Sequence, residues 1–282
     1  LVIYVVFNDK VVLVTGASSG IGAATAIKFA SEGAKVAIIG RNVEKLNKVA
    51  EQCEKSGGKA LVITADVTND DDVKRLVSDT LKQFGRLDIL VNNAGLGGGA
   101  SILAENTMQV YDKIMATNLR SVVHITNLAV PHLIESRGNI VNVSSVASTN
   151  IITPRSGAYC ASKAGLDHFT KCVALELATK GVRVNSVNPG PTNTDIVENM
   201  GIPNEAFKQK MWDMFKSATA TGRLSEPEEI ADVILFLASN KAKSITEKAQ
   251  NYVGRVIFGA SYPEWGPWDS PVGTLHDYVA VL

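Results

Sequence analysis

The sequence has 282 residues, 45% of them hydrophobic and 20% charged, so a large buried core is available and general disorder is excluded. Lys and Arg number 28, as do Asp and Glu, and the formal net charge of zero gives no basis for a nucleic-acid or anionic-membrane partner. The apolar segment 1–7 is too short to span a bilayer, and the three cysteines lack paired or C-x-x-C spacing. We expect a cytoplasmic protein with no membrane segment, disulfide or zinc site.

Short apolar strands alternate with helices along most of the chain. The first predicted strand, 11–14, stops at a glycine turn, and a helical pattern follows it as far as Gly33. Further strands are predicted at 36–39, 60–64, 87–91, 139–143 and 182–187, and further helices at 43–55, 71–84, 111–134, 159–179 and 227–237. Such alternation implies a parallel sheet covered on both faces. The sequence predicts an α/β fold, a single doubly wound Rossmann-type domain over 1–282 with about seven strands.

Residues 191–222 depart from this alternation. The segment contains two prolines, three methionines and Trp212, with weak helical periodicity. Long connections in compact domains are often active-site lids. A mobile flap over a ligand is therefore one interpretation, and a surface helical excursion is the other.

A glycine-rich turn follows the first predicted strand. Its sequence over 15–22, Thr-Gly-Ala-Ser-Ser-Gly-Ile-Gly, would let backbone amides approach a pyrophosphate at the N-terminus of the next helix. The glycine order differs from the commoner dinucleotide fingerprint, and a plain strand-to-helix connection is the alternative. Its position at the first crossover of the sheet favours nucleotide binding. The candidate contact residues are Gly16, Ser18, Ser19, Gly20, Ile21 and Gly22.

Three later segments complete a pattern with this turn. They are Asp66-Val67, Asn92-Asn93-Ala94-Gly95 and Tyr159-Cys160-Ala161-Ser162-Lys163. In this order and on these predicted elements, the four motifs resemble the short-chain dehydrogenase/reductase family over residues 9–245, and within it animal reductases similar to the bacterial 3-oxoacyl-carrier-protein reductase. The resemblance implies hydride transfer between a nicotinamide cofactor and a carbonyl or alcohol carbon. It fades beyond residue 246, which leaves 247–282 as a divergent tail with a candidate last strand at 256–258.

The end of the second predicted strand bears on the choice of cofactor. An acidic side chain there would bind a ribose 2′-hydroxyl and repel a 2′-phosphate. This chain has Arg41 instead, whose planar fork of donors suits a phosphate. We predict that NADP(H) is preferred, with NAD(H) as the alternative. A solvated arginine at a helix start is the other interpretation of Arg41.

Further cofactor contacts follow from the resemblance. Asp66, with Val67, should contact the adenine ring, and Asn93, Ala94 and Gly95 should lie beside the adenosine end. Without the family, 92–95 is a turn at the carboxyl end of a strand. The later loop contributes Pro189, Gly190, Thr192 and Thr194, of which Thr194 would bond the nicotinamide carboxamide. Proline and glycine there could also mark only a turn.

Tyr159 and Lys163, four residues apart, are the candidate catalytic pair. Hydride transfer to a ketone leaves an alkoxide unless an acid delivers a proton to the carbonyl oxygen. Tyrosine has an ordinary pKa of about 10, and a lysine on the same helical face would lower that pKa by favouring the phenolate. By the resemblance, Tyr159 donates the proton and Lys163 also holds the cofactor ribose. An isolated pair at this spacing would be an ordinary helix surface.

Two more polar positions join this pair. The strand at 139–143 ends in Ser144 and Ser145, and the resemblance makes Ser145 the residue that polarises the carbonyl. Ser144 is the alternative, because the family usually has one fewer residue before the tyrosine. Asn118 matches the asparagine that holds a water linking the lysine to solvent; otherwise it is a buried amide that supports the fold. No metal is needed, and the four histidines lack ligand spacing.

The sequence therefore predicts an NADP(H)-dependent oxidoreductase with a small-molecule carbonyl or alcohol substrate. The rival from another class is a catalytically idle dinucleotide-binding sensor or partner-binding protein, and the enzymatic rival is an NAD-linked alcohol dehydrogenase. The fold alone does not decide between them. By the resemblance we expect a homotetramer, with a dimer as the alternative. Apolar residues after Ser145, such as Ile151 and Ile152, leave the identity of the substrate open.

Overall fold

The computed structural model describes residues 6–152, 154–195, 205–246, 249–252 and 279–281 of the chain. Within these ranges the strands are β1 Val11–Thr15, β2 Lys35–Gly40, β3 Lys59–Thr64, β4 Ile89–Asn92, β5 Leu96–Gly98, β6 Asn139–Val143, β7 Arg183–Pro189, β8 Ala249–Tyr252 and β9 Val279–Val281. The α-helices are α1 Gly20–Ser31, α2 Val43–Lys55, α3 Asp70–Phe84, α4 Thr107–Met115, α5 Ser121–Ser136, α6 Gly157–Ala178, α7 Glu205–Ser217 and α8 Pro227–Ala238.

Seven of these strands form one parallel sheet in the order β3-β2-β1-β4-β6-β7-β8. The strand order changes direction at β1, which pairs with β2 on one side and β4 on the other. In a doubly wound sheet, the crevice outside the carboxyl ends of the strands at such a point is where ligands bind. The predicted α/β Rossmann-type fold with a seven-stranded parallel sheet is confirmed.

The sheet is buried on both faces, as its apolar strands predicted. Along β1, Val12 and Val14 pack into one core cluster with Phe29 of α1, whereas Val11 and Leu13 pack into a second cluster. The first cluster also receives α2 and α8, and the second receives α3, α5 and α6. Because successive side chains of a strand point to opposite faces, one short apolar run supplies both cores.

The long helix predicted over 111–134 is interrupted in the structure. A π-helical turn at Ala116–Arg120 separates α4 from α5 and buries Thr117 and Asn118. A π turn adds one residue to a helical turn and occurs frequently at functional sites. Hydrophobic periodicity is averaged over several turns, so a single extra residue left no trace in the sequence pattern.

The two segments outside the predicted alternation have only partial descriptions. Within 191–222 the chain forms the helical excursion α7, and its covering of a ligand remains a prediction. In the tail 247–282, β8 occupies the edge of the main sheet, and β9 pairs with β5 in an antiparallel ribbon. The candidate strand 256–258 lies outside the described residues. Across the described ranges, no helix combines the length and apolar character needed to cross a membrane.

Candidate active site

The carboxyl ends of β1 to β4 border a groove of about 260 Å³. Because these strands are parallel, the loops that leave them meet at one edge of the sheet. The groove is lined by Gly16, Ser18, Ser19, Gly40, Arg41, Asn42, Lys45, Ala65, Asp66, Val67, Ala94, Gly95, Leu96 and Thr117. Most of the candidate cofactor residues from the first half of the chain therefore share this surface.

The glycine turn between β1 and α1 is closely packed against the loop that follows β4. Gly16 has φ +66°, and a Cβ there would lie 2.8 Å from the Cα of Ala94. A Cβ at Gly22 would lie 2.3 Å from the carbonyl oxygen of Gly16, so both positions require glycine. Ser19 is the N-cap residue of α1, but its side chain makes no capping hydrogen bond. The N–H groups of the first turn of α1 therefore lack a side-chain cap, which suits an anion.

Asn93 supports this turn from the protein interior. Its Nδ2 donates to the carbonyl oxygens of Thr15 at 2.9 Å and Gly16 at 3.1 Å. Thr15 Oγ1 in turn accepts from the N–H groups of Asn93 and Ala94, each at 3.0 Å. Asn93 is only 2% exposed, so its side chain props the turn and does not line the groove. Ile21, another candidate contact, is buried in the core below α1.

Two cations border the groove at the end of β2. Arg41 Nη1 lies 3.9 Å from Asp66 Oδ2, and Lys45 forms an ion pair with Asp195 from the loop after β7. Both cationic side chains are about half exposed. Arg41 was a predicted cofactor contact, and Lys45 was not. The available signal was a cationic residue in the first turn of the helix that follows β2, at the edge where ligands bind.

The loop after β7 returns to the glycine turn. It begins at Pro189, the last residue of β7. A Cβ at Gly20 would lie 3.0 Å from Thr194 Cγ2, so Thr194 packs against the start of α1. Thr192 Oγ1 donates to the Gly190 carbonyl at 3.0 Å and is engaged within its own loop. The structure thus brings Thr194 to the glycine turn and leaves Thr192 as a residue that shapes the loop.

The candidate catalytic side chains meet where β6 ends beside α6. Tyr159 and Lys163 are 7% and 1% exposed, and Lys163 Nζ lies 5.8 Å from the centroid of the Tyr159 ring. Lys163 Nζ donates to the Val143 carbonyl at 2.9 Å, and the Ser145 hydroxyl lies close enough to Tyr159 to act on its pKa. Because β6 is parallel to β4, this cluster lies on the same edge of the sheet as the glycine turn.

The structure separates the two serine alternatives. Ser144 Oγ donates to the backbone carbonyl of Lys163 at 3.2 Å and so ties β6 to α6. Ser145 Oγ accepts from the N–H of Ala147 at 3.1 Å, at the start of a 3₁₀ turn, and its hydroxyl also meets Tyr159. Ser145 is therefore the serine that shares the Tyr159 hydroxyl, and this geometry favours it for the carbonyl-polarising role.

Burial dominates the acid–base properties of the pair. Burial raises the pKa of Tyr159, and the hydrogen bond with Ser145 opposes that rise. The expected lowering of the Tyr159 pKa is overturned here, because desolvation of the buried phenol sets the direction of the shift. Burial also lowers the pKa of Lys163 from 10.5 to about 8, against the attraction of Asp167. A tyrosine with a raised pKa is protonated at neutral pH, as a proton donor must be.

Asn118 lies in the π-helical turn and is fully buried. Its Oδ1 accepts from the Leu96 N–H at 2.7 Å, and its Nδ2 donates to the Leu96 carbonyl at 2.9 Å and to Ser162 Oγ at 3.0 Å. The amide therefore joins the loop after β4 to α6, as the fold-supporting alternative requires. A water relay through this residue remains a prediction.

Two histidines of α5 pair with carboxylates outside this cluster, and His276 lies outside the described residues. His124 Nδ1 lies 3.2 Å from Asp70, and His132 Nδ1 lies 3.8 Å from Glu135. Among the residues that the structure describes, no group of three or more His, Cys, Asp or Glu side chains is arranged to hold a metal ion.

The chain is similar to known proteins over most of its length. Residues 10–204 match the family model of the short chain dehydrogenases. The chain is 40% identical over 251 residues to 3-oxoacyl-[acyl-carrier-protein] reductase FabG of Thermotoga maritima, which covers 89% of this chain and 98% of that protein. It is 37% identical over 255 residues to a 3beta-hydroxysteroid dehydrogenase of Mediterraneibacter gnavus, which covers 85% and 92%.

The fold is also similar to that of solved structures. A short-chain dehydrogenase/reductase of unknown function from Caenorhabditis elegans, solved with cofactor, matches with a TM-score of 0.80 at 38% sequence identity. The match covers 86% of this chain and 93% of that one.

Proposed function

The chain belongs to the short-chain dehydrogenase/reductase family, and from this premise we propose that it is an NADP(H)-dependent reductase of a small-molecule carbonyl compound. It is an oxidoreductase of alcohol or carbonyl substrates. The observation that supports the proposal best is the buried cluster of Tyr159, Ser145 and Lys163, at the sheet edge that carries the groove. An idle dinucleotide-binding protein would need the groove but not these buried hydroxyls.

The groove has the features that a dinucleotide needs. Gly16 and Gly22 leave no room for a side chain in the turn, and the start of α1 offers uncapped N–H groups to a pyrophosphate. Asp66 and Val67 line the groove at the end of β3, where we propose that they contact the adenine ring. Thr194, packed against Gly20, would then lie toward the nicotinamide end.

The proposed chemistry divides the work between cofactor and protein. When bound, the nicotinamide cofactor supplies the hydride for reduction or accepts it for oxidation. Ser145 donates a hydrogen bond to the carbonyl oxygen and polarises it, and Tyr159 donates a proton to that oxygen as negative charge develops. Lys163 holds the ribose and keeps a positive charge beside the ring of Tyr159 after the proton has left.

The raised pKa of Tyr159 favours reduction at neutral pH. Burial keeps the phenol protonated, which is the form that donates to an alkoxide. Oxidation of an alcohol needs the phenolate and is therefore expected to gain rate as the pH rises.

The preference for NADP(H) rests on Arg41 and Lys45. Both line the groove at the end of β2, where the ribose 2′ position of a dinucleotide lies in folds of this kind. Each faces a carboxylate in the structure, and a 2′-phosphate would give each cation a stronger charge-assisted partner. Asp66, which forms an ion pair with Arg41, follows β3 and does not lie at the end of β2.

We extend the proposal to substrate class, assembly and location. By their names, the relatives are a 3-oxoacyl-[acyl-carrier-protein] reductase and a 3beta-hydroxysteroid dehydrogenase, so they share a reaction type but not a substrate. We propose a homotetramer or dimer because α4, α5 and α6 expose large apolar side chains, among them Met108, Val123 and Leu175. The site residues lie on the loops and helices around one sheet, which supports a single catalytic domain, and the unpaired cysteines favour a cytoplasmic location.

NADPH consumption measured against a broad panel of carbonyl compounds tests the proposed function. The panel should span acyl thioesters, steroid ketones, quinones and small diketones, with the Tyr159→Phe variant as background. We expect at least one class to be reduced well above that background. NADPH binding without reduction of any class would favour the idle dinucleotide-binding alternative.

A further inference from the structure

One buried carboxylate lies beside the site and has no part in the chemistry described so far. Asp167 is on α6, one turn after Lys163, and is only 8% exposed. Burial of a carboxylate costs several kcal/mol unless a cation and hydrogen bonds compensate. Among the described residues, its Oδ1 has no hydrogen-bond partner. A buried carboxylate oxygen without a hydrogen-bond partner, next to a catalytic pair, calls for an explanation by function.

The other oxygen of Asp167 holds an amide that also holds the serine segment. Asn188 Nδ2 donates to Asp167 Oδ2 at 2.6 Å, and the same nitrogen lies 3.2 Å from the Ser145 carbonyl and 3.0 Å from Ser148 Oγ. Asn188 lies on β7 and is fully buried. One amide thus connects α6, through Asp167, to the 3₁₀ turn that carries Ser145.

The cation next to Asp167 along α6 is Lys163. The two side chains are four residues apart on one helix and lie on the same face, and Asp167 is the charged group that acts on Lys163. Among the described contacts of Lys163, the Val143 carbonyl of β6 is an uncharged acceptor for its Nζ, and Ser144 Oγ donates to its backbone carbonyl. On α6 itself, Tyr159 is the remaining titratable neighbour.

We propose that Asp167 is a positioning residue of this active site: its carboxylate keeps Lys163 charged and, through the Asn188 amide, keeps Ser145 in place opposite Tyr159. A neutral residue of the same shape could hold the amide but could not balance the ammonium. The role in turnover rests on the proposed function, whereas the effect on the charge of Lys163 can be measured without any substrate.

The test compares Asp167→Asn, which preserves shape, with Asp167→Glu, which preserves charge. The pH at which Lys163 loses its proton is followed by NMR of lysines labelled with ¹³C at Cε, with the Lys163 signal assigned by its absence in Lys163→Met. We expect this pH to fall by about one unit in the Asn variant and to change little in the Glu variant. Glu176→Gln, the same chemical change at an exposed position of α6, should leave it unchanged.

Turnover should follow the same pattern. For the Asn variant, kcat should be close to that of the wild type at pH 6 and about fivefold lower at pH 8, because fewer Lys163 side chains stay charged. A purely structural role would lower kcat equally at both pH values. An unchanged Lys163 titration in the Asn variant overturns the proposal. Should that variant not fold, a Glu variant that titrates Lys163 a full unit lower overturns it equally, and one that titrates like the wild type supports it.

The two failures can be told apart. A wild-type chain that reduces no carbonyl would refute the proposed function, yet the NMR titration would still decide whether Asp167 holds the charge of Lys163. A chain that reduces carbonyls while Asp167→Asn leaves Lys163 unmoved would refute this inference alone.

Discussion

The groove and the catalytic cluster share one edge of the sheet but differ in how far their charged side chains are exposed to solvent. In the groove, Arg41 and Lys45 are about half exposed and face carboxylates across solvent-accessible loops. In the cluster, Tyr159 and Lys163 are almost completely buried. Exposed pairs contribute little to stability because water screens them, whereas a buried charge is costly. Substitutions in the cluster should therefore change rate and stability together, and substitutions in the groove should change cofactor choice alone.

The largest effect in this comparison is expected for Lys163→Met. Turnover should fall by about 10³-fold, because the charge beside Tyr159 and a ribose contact are both lost. Stability should move the other way. Burial lowers the pKa of Lys163 from 10.5 to about 8, so the folded state holds this proton less tightly than the unfolded chain does. After loss of the hydrogen bond to Val143, we expect the free energy of unfolding at pH 7 to rise by about 1–2 kcal/mol.

The pH dependence of that gain supplies its control. The folded pKa of Lys163, about 8, lies below its unfolded value of 10.5. The penalty for the buried charge is therefore complete below about pH 8 and disappears as the pH rises through 10.5. The advantage of the Met variant should thus be largest below pH 8 and should shrink toward pH 10. Urea unfolding at pH 7 and at pH 9.5 measures it. A variant that is less stable at pH 7 would show that Lys163 is not destabilised by burial.

A smaller effect is expected for the serine that meets Tyr159. Ser145→Ala should lower kcat by about 10²-fold, since the carbonyl oxygen loses a positioned donor. Ser144→Ala is the matched control: it removes the bond to the Lys163 carbonyl and should cost stability with at most a few-fold change in kcat. Steady-state kinetics of both variants on one substrate decide the matter. A larger loss of kcat in Ser144→Ala would reverse the assignment of the two serines.

The smallest effects are expected in the groove. Arg41→Ala should raise KM for NADPH about tenfold, and Lys45→Ala should raise it about threefold, because half-exposed cations bind a phosphate weakly. KM for NADH should stay the same in both variants. Lys48→Ala, on the same helix and outside the groove, is the control. Equal increases of KM for the two cofactors would mean that these cations do not recognise a 2′-phosphate.

The sequence predicted the fold and most of the groove because both depend on local patterns. Apolar runs and glycine positions report which strands are buried and where they end, and parallel strands then bring their carboxyl ends together. The choice of Ser145 over Ser144 required coordinates, because it depends on which hydroxyl meets Tyr159 across the space between β6 and α6.

Contacts between residues that are far apart in the sequence were not predicted. Lys45 forms an ion pair with Asp195, which lies 150 residues later. Asn93 donates a hydrogen bond to the Gly16 carbonyl of the glycine turn, 77 residues earlier. The direction of the Tyr159 pKa shift was wrong because the sequence shows a nearby lysine but not the desolvation that outweighs it. The π-helical turn around Asn118 was missed because one extra residue does not change a helical pattern.

Tyr159 is the buried proton donor in the proposed reaction, and the Tyr159→Phe variant tests this role most directly. NADPH binding, followed by cofactor fluorescence, should match the wild type because the ring is kept, while turnover of the best carbonyl substrate should fall by about 10³-fold. Tyr111→Phe, the same change at a partly exposed tyrosine of α4, should leave both unchanged. Wild-type turnover in Tyr159→Phe would contradict the account.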